Sequence, residues 1–357
     1  MPAWNEILTE FQHPPQGQTP NTWPDAVRRK YLAALQAHTQ RNVILYATRF
    51  TAQGPDIPPP LITIAEEDMN GIMTVVHGLR GKKLDLILHS PGGSLEAAEA
   101  IVEYLRSKFS DIRVIVPHLA LSAATMVACS ADRVVMGKHS FLGPIDPQIL
   151  IRSPLGGQVF VPAQAIKDQF DKAVAECRDP KKLPAWVPML QQYGPHLLIA
   201  CDDAAAFAES LVAKWLKRWM FKHDGDKEDK ANKLAAWLAN HKEWKSHGRH
   251  IPRWQLQRKG MIIEHLEKDA KFQDAVLSVF HATTHTFGFT VAAKIIENHT
   301  GNAFIKIVPV QPVMQPMPFM LPSPFVVPGR PPVIAPGQPP FSVPAQPSVP
   351  PPDKPVS

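Results

Sequence analysis

Two short segments carry residue types that could perform acyl transfer. In the first, Leu84-Asp-Leu-Ile-Leu-His-Ser-Pro-Gly-Gly-Ser94, an apolar run passes into Ser90-Pro91-Gly92-Gly93 and a helix opens near Ser94. Paired glycines at a strand-to-helix turn leave backbone N–H groups uncovered, and such groups at a helix N-terminus attract negative charge. Gly92 and Gly93 could therefore donate to an oxyanion, although SPGG could equally be a tight turn and no more. In the second segment, Pro117 to Asp132 (PHLALSAATMVACSAD), Ser122 lies between a strand and a helix of small residues. A serine there can be an N-cap. It can also be a nucleophile held at a sharp turn, with the N–H of Ala123 aimed at the developing oxyanion. The two segments follow one another by about thirty residues, across one βαβ unit, so a hydroxyl and two sets of donors could share one sheet edge.

The elements that must position them read as follows. A helix starts at Asp25 (DAVRRKYLAALQAHTQ) with an acidic first residue, as capping favours. Strands follow at Asn42 to Thr48, Leu84 to Leu88, Arg113 to Val116 and Arg133 to Met136; helices lie around Glu66 to Arg80, at Glu96 to Lys108 and at Ala123 to Cys129. Strands alternating with helices imply a mostly parallel sheet covered on both faces. From Pro162 to His247 the pattern is mostly helical, and Phe272 to Asn298 reads as one or two further helices.

Composition narrows the function classes. The chain has 357 residues, 45% hydrophobic and 20% charged, which suits a globular protein with a real core. Of 38 prolines, 18 fall between Pro309 and Pro355, so the end of the chain is a separate, extended, polyproline-like object. Cys129, Cys177 and Cys201 lack CxxC spacing, so no disulfide framework or zinc site is expected and a reducing compartment fits best. No secretory signal opens the sequence. The uncharged stretch Val114 to Ala131 is long enough to suggest a membrane span, but Pro117, His118 and its small residues favour a buried strand, turn and helix. Between Lys214 and Lys259 thirteen basic residues face five acids, interleaved with Trp215, Trp219, Trp237, Trp244 and Trp254. That mixture is one footprint of nucleic-acid binding. Trp215 and Trp219, four apart on a helix, instead suggest a core-facing stripe with solvated lysines opposite, so nucleic acid is not the expected partner.

SPGGS followed by a helix, then ALSAATMVACSADRVVM and FLGPIDPQ, resembles the Clp-fold, crotonase-like serine peptidases and their signal-peptide-peptidase branch. SHGRHI from Ser246 to Ile251, FQDAVLSVFHATTHT and KIIENHTG make the sequence most similar to the serine dehydrogenase proteinase (SDH) family of that fold. The resemblance implies an α/β fold with a Clp/crotonase-like ββα-type spiral, a helical C-terminal part and a disordered proline-rich tail. The domain limits would be a lead segment at 1–24, a peptidase domain at 25–308, α/β to about 160, and the tail at 309–357. It implies a serine endopeptidase with Ser122 as nucleophile and Gly92, Gly93 and Ala123 as oxyanion donors, needing neither metal nor cofactor.

The base is less direct. Clp-type proteases carry a histidine some 25 residues after the serine, and that position falls on Pro144-Ile-Asp-Pro-Gln148, which holds Asp146 and no histidine. A Ser-His-Asp triad is therefore disfavoured, with His118 and His139 read as structural or surface residues, and His89 and Asp146 left without assigned roles. The signal-peptide-peptidase branch uses a lysine 40–50 residues beyond the serine, which points to Lys167 first and Lys172 as the alternate, with Lys181 and Lys182 just past. A lysine can act so only if burial lowers its pKa toward about 7–8. Peptide or protein substrates, homo-oligomers and a tail-binding partner are implied. The expected location is cytoplasmic, with peripheral membrane contact through the basic segment left open. Two other readings stay in view: a crotonase-like acyl-thioester enzyme, and an inactive Clp-fold interaction scaffold.

Overall fold

Apolar runs too uniform to alternate are what a strand needs when both of its faces are covered, and a computed structural model describing residues 4–19, 22–52, 57–152 and 156–309 puts five of them side by side. In chain order the first half contains α1 (Trp4–Gln12), α2 (Trp23–Thr39), β1 (Asn42–Thr48), α3 (Pro59–Ile62), α4 (Asp68–Val76), β2 (Lys83–His89), α5 (Leu95–Lys108), β3 (Asp111–Val116), β4 (Leu119–Ala120), α6 (Ala123–Cys129), β5 (Arg133–Met136) and β6 (Phe141–Leu142). There follow a hairpin, β7 (Gln148–Arg152) and β8 (Gln158–Pro162), and the helices α7 (Ala163–Glu176), α8 (Leu183–Leu190), α9 (Leu197–Trp215), α10 (Lys227–Ala239) and α11 (His241–Trp244). The remainder is β9 (Ile251–Pro252), α12 (Arg253–Arg258), β10 (Ile263–His265), α13 (Ala270–Phe289), β11 (Ala292–Asn298) and β12 (Ala303–Ile307).

The protein is a mixed α/β structure around a seven-stranded sheet ordered β10-β5-β3-β2-β1-β11-β12. The first five strands are parallel; β11 and β12 close the other edge antiparallel. Alternate residues feed two cores. Ile44, Leu86, Leu88, Val114, Val116 and Val134 meet α4, α5, α6, α9 and α10, whereas Leu45, Ile87, Ile115 and Val135 meet α2 and α13. A second, three-stranded sheet runs β4-β6-β9. Trp215, Trp219 and Trp244 are buried in the first core, while Trp254 is exposed. Val114 to Ala131 is the end of β3, then β4, a turn and α6, and no helix among the described residues is long and apolar enough to cross a membrane.

Two expectations change. The lead segment is built into the fold: Ile7 and Phe11 of α1 are buried against Val27 and Ala282, and the Trp23 indole donates to the Glu10 carbonyl at 2.8 Å. Helix does not continue to Asn298; α13 stops at Phe289, and AAKIIEN becomes β11, paired antiparallel with β1 from Ile44↔Asn298 to Thr48↔Lys294. A short apolar run has no period that separates helix from strand, and here the open edge of β1 decides. The β7–β8 hairpin lies just before the stretch read as mostly helical. The proline-rich stretch from 310 onward lies outside the described residues.

Ile295 of β11 is fully buried against α13. Ile295→Ala is expected to cost about 2–5 kcal/mol in urea unfolding; a loss under about 1 kcal/mol would contradict a central place for this strand.

Candidate active site at the carboxyl ends of the strands

β4 ends at Ala120 and α6 begins at Ala123, so Leu121 and Ser122 alone make the turn. Ser122 adopts φ +53°, ψ −124°, one of only three non-glycine positive-φ residues among those described. Such a conformation is costly for a residue with a Cβ and persists only where the surroundings impose it. The Ser122 hydroxyl caps nothing in the helix it precedes. Ser94 provides the contrast, accepting the Ala97 N–H at 3.0 Å as the cap of α5. Buried Thr125 fixes the turn by donating to the Ala120 carbonyl at 2.8 Å and accepting the Gly143 N–H at 2.9 Å.

The diglycine turn leans directly on it. Gly92 has φ +98°, and a Cβ there would lie 2.7 Å from both the Leu121 carbonyl oxygen and Ser122 Cβ, and 2.9 Å from the Ala123 nitrogen. Gly93, at φ +153°, has no room for a Cβ either, because the backbone of Ile64 occupies the space. Ile64 donates its N–H to the Gly92 carbonyl at 2.7 Å and accepts the Ser94 N–H at 2.9 Å. The Gly92 N–H is taken by Ser90 Oγ at 3.2 Å. The N–H groups of Gly93 and Ala123 have no hydrogen-bond partner among the described residues.

The small sheet brings a third group to this end. Ala120, Leu142 and Ile251 lie side by side on β4, β6 and β9. β4 and β6 are parallel and β9 antiparallel, so the chain just after β4, just after β6 and just before β9 emerges at one edge. These stretches contain Ser122, Asp146 and His247. Asp146 is almost fully buried; its Oδ1 accepts His247 Nδ1 and its Oδ2 accepts His241 Nδ1, each at 2.8 Å. Donation through Nδ1 leaves both Nε2 atoms turned away from the carboxylate and able to accept a proton. Ile145 is tied to α10 through its N–H and the Leu238 carbonyl at 3.0 Å.

Residues 24–175 match the family model for ClpP-like SDH-type serine proteinases. The match covers less than half of the chain. Two uncharacterised proteins of Methanocaldococcus jannaschii are similar, one 36% identical over 123 residues (34% of this chain, 43% of the relative) and one 42% identical over 66 (18% and 23%). An ATP-dependent Clp protease proteolytic subunit of Streptococcus mutans is 38% identical over 76 residues, 21% of this chain and 36% of that protein. The matched stretches thus span less than half the length of each relative. Ser122, the glycines, Asp146 and Lys167 fall inside the family segment; His241 and His247 lie beyond it.

The lysines depart from the sequence expectation. Lys167 on α7 is about one-third exposed and ion-paired with Asp202 of α9, and that hydrogen bond holds its ammonium above the usual lysine range. A general base needs the opposite shift. Lys172, Lys181 and Lys182 are exposed. The residues that sequence reasoning passed over are His241 and His247. His247 sits within SHGRHI, a segment whose likeness to the family carries no spacing from which its chemistry could be read.

His89 joins β2 to β4 through its Nδ1 and the Leu119 carbonyl at 3.1 Å, packed among the rings of Phe50, Phe280 and His118. His118 is half-buried and His139 exposed. Burial, with His118 adding to it, lowers the His89 pKa to about 3. An unfolded histidine protonates near 6.5, so this contribution to stability is complete above that pH and lost as pH falls toward 3. Between pH 6.5 and 4 the unfolding free energy is expected to drop by up to about 1.4 kcal/mol per unit from this group. A His89→Phe variant should have a flatter acid limb in urea titrations; an unchanged slope would remove His89 as its source.

Proposed function

We propose that the protein is a serine peptidase in which Ser122 is the nucleophile, His247 the base, Asp146 its orienting carboxylate, and the N–H groups of Gly93 and Ala123 the oxyanion donors. The observation that carries this reading is the conformation of Ser122: a strained, uncapped serine pressed against a glycine turn, with unengaged N–H groups on either side of it. A structural N-cap would gain nothing from such a backbone. Support for a histidine base comes from the buried Asp146–His247 pair at the same sheet edge as Ser122 and from the exposed, ion-paired state of Lys167. His247 is chosen over His241 because its segment leads straight into β9, beside β6.

In this mechanism Ser122 Oγ attacks a peptide carbonyl carbon while His247 Nε2 takes the hydroxyl proton. Asp146 holds the Nδ1–H and stabilises the imidazolium. The carbonyl oxygen becomes an oxyanion between the two N–H groups. Its collapse breaks the C–N bond, with the imidazolium proton passing to the leaving amine. Water then adds to the acyl-enzyme with the same base, releasing the acid and restoring Ser122. A crotonase-like thioester reaction would not need the serine at all. Peptide or protein substrates and assembly into homo-oligomers belong to the same proposal and rest on the family resemblance.

The test is intact-mass labelling of the full chain with a serine-directed fluorophosphonate, together with peptide hydrolysis. Wild type should gain one adduct, Ser122→Ala none, and His247→Ala should slow labelling by roughly 10²–10⁴. Lys167→Ala should label at the wild-type rate. Loss with Lys167→Ala would return the role of base to the lysine, and loss with His241→Ala but not His247→Ala would exchange the two histidines. No adduct and no hydrolysis between pH 6 and 10 would overturn the peptidase reading.

A further inference from the structure

The oxyanion turn does not hold its own shape. Gly93 is bracketed by a single residue, Ile64, which has an N–H bond to the Gly92 carbonyl on one side and accepts the Ser94 N–H on the other. Ile64 belongs to a short irregular stretch between α3 and α4, with no strand to fix it. What fixes it is ionic. On either side of Ile64, the Thr63 carbonyl accepts Lys294 Nζ at 2.7 Å and the Ala65 N–H donates to Asp68 Oδ2 at 3.0 Å. Lys294 and Asp68 are themselves paired, Nζ lying 2.7 Å from both carboxylate oxygens, and neither side chain reaches solvent. Tyr46 of β1 donates to Asp68 at 2.6 Å, and Lys306 of β12 approaches it at 3.2 Å while also pairing with Glu67.

We propose that Asp68 and Lys294 are positioning residues for catalysis: through Thr63, Ala65 and Ile64 they set where the Gly93 N–H points, and so whether the oxyanion site is formed. This rests on the serine peptidase reading of Ser122. A buried ion pair is poor evidence for a stabilising device, because desolvating two charges offsets most of their attraction. Burial lowers Lys294 to about 8 against the pull of Asp68, which marks that desolvation cost. Two apolar side chains could fill the same volume. What they could not do is hold one carbonyl and one N–H, two residues apart, in fixed places on each side of Ile64. The pair sits beneath the far edge of the sheet, on β11 and α4, and reaches the site only through backbone, so it touches no substrate.

Lys294→Met is the informative variant. It cuts the Thr63 tether yet leaves Asp68 a cation in Lys306 and a donor in Tyr46, so no carboxylate is stranded. Its control is Ile295→Ala, one residue along β11 with its side chain on the opposite face, which destabilises without touching the tether. With a fluorophosphonate on the full chain, Lys294→Met should lower the maximal labelling rate by roughly tenfold to a hundredfold. The half-saturating concentration should stay within about twofold, since the rest of the binding surface is unmoved. Lys294→Arg, which keeps a cation and donors at Thr63, should recover part of the rate. Amide hydrogen exchange supplies a readout independent of catalysis: the Ser94 N–H, held by Ile64, should exchange faster in Lys294→Met than in Ile295→Ala. If both variants label and exchange alike once matched for stability, the positioning role is overturned. If wild type is not labelled but Ser94 exchange still rises selectively, the clip stands and the reading of Ser122 falls.

Discussion

The backbone of Gly92 comes so near to Ser122 that no side chain fits between them, and this contact sets the terms for much of that end of the molecule. Two turns, each made by a strand passing into a helix, meet edge to edge. The meeting requires positive φ at Gly92 and Gly93, which glycine adopts without penalty. It also accompanies positive φ at Ser122, where the penalty is real and must be overcome by everything packed around it. Thr125 beneath, Ile64 beyond Gly93 and the Ser90–Ala120 bridge supply that surround. The serine is thereby kept out of the N-cap geometry that an unconstrained chain would choose.

Charge is distributed along the sheet in a way that suits this arrangement. At the amino ends of the parallel strands Asp85 is fully buried yet bonded by Arg41 at 2.6 Å and by Arg113 at 2.8 and 2.7 Å, and Asp111, Arg133 and Glu264 extend the network outward. Charges there are mutually neutralised and do no more than close that end. At the carboxyl ends stand glycines, backbone N–H groups and the neutral His89, with Asp146 as the buried carboxylate hydrogen-bonded by two imidazoles. In the proposed mechanism the negative charge develops between polarised backbone donors while the Asp146 carboxylate is engaged by two imidazole N–H groups, and open α/β sheets commonly bind ligands at this end.

Much of this was legible in the residues themselves. The strands from Asn42, Leu84, Arg113 and Arg133 lie where continuous apolar runs announce them, and the helix at Ala123 begins where small residues follow Ser122. Those signals are local: a run of β-branched residues or a stripe at helical spacing is fixed by neighbours in sequence. The failures are the features fixed from elsewhere. AAKIIEN is a strand because β1 has an open edge nearly 250 residues earlier in the chain. WNEILTEFQ contributes a packed helix because Val27 and Ala282 leave a groove for Ile7 and Phe11. Lys167 read as a lysine in uncharged surroundings; its partner, Asp202, arrives from another helix.

The proposed base illustrates the same point in its sharpest form. Searching for it by spacing from the serine presumes that the chain reaches the site by one route, and the only candidate this gave near the usual distance was an aspartate. That aspartate is at the correct end of the small sheet, but its imidazoles enter from α11 and the loop before β9, about a hundred residues later. Antiparallel addition of β9 to β6 makes this possible, because a strand that enters from the opposite direction delivers the residues before it, rather than after it, to the edge where β4 and β6 end. Spacing carries such information only when the connection between the two elements has a fixed length. Here the β7–β8 hairpin, four helices and their turns lie between Asp146 and α11, so the pairing of carboxylate and histidine is a property of the sheet register and has no counterpart in the linear sequence.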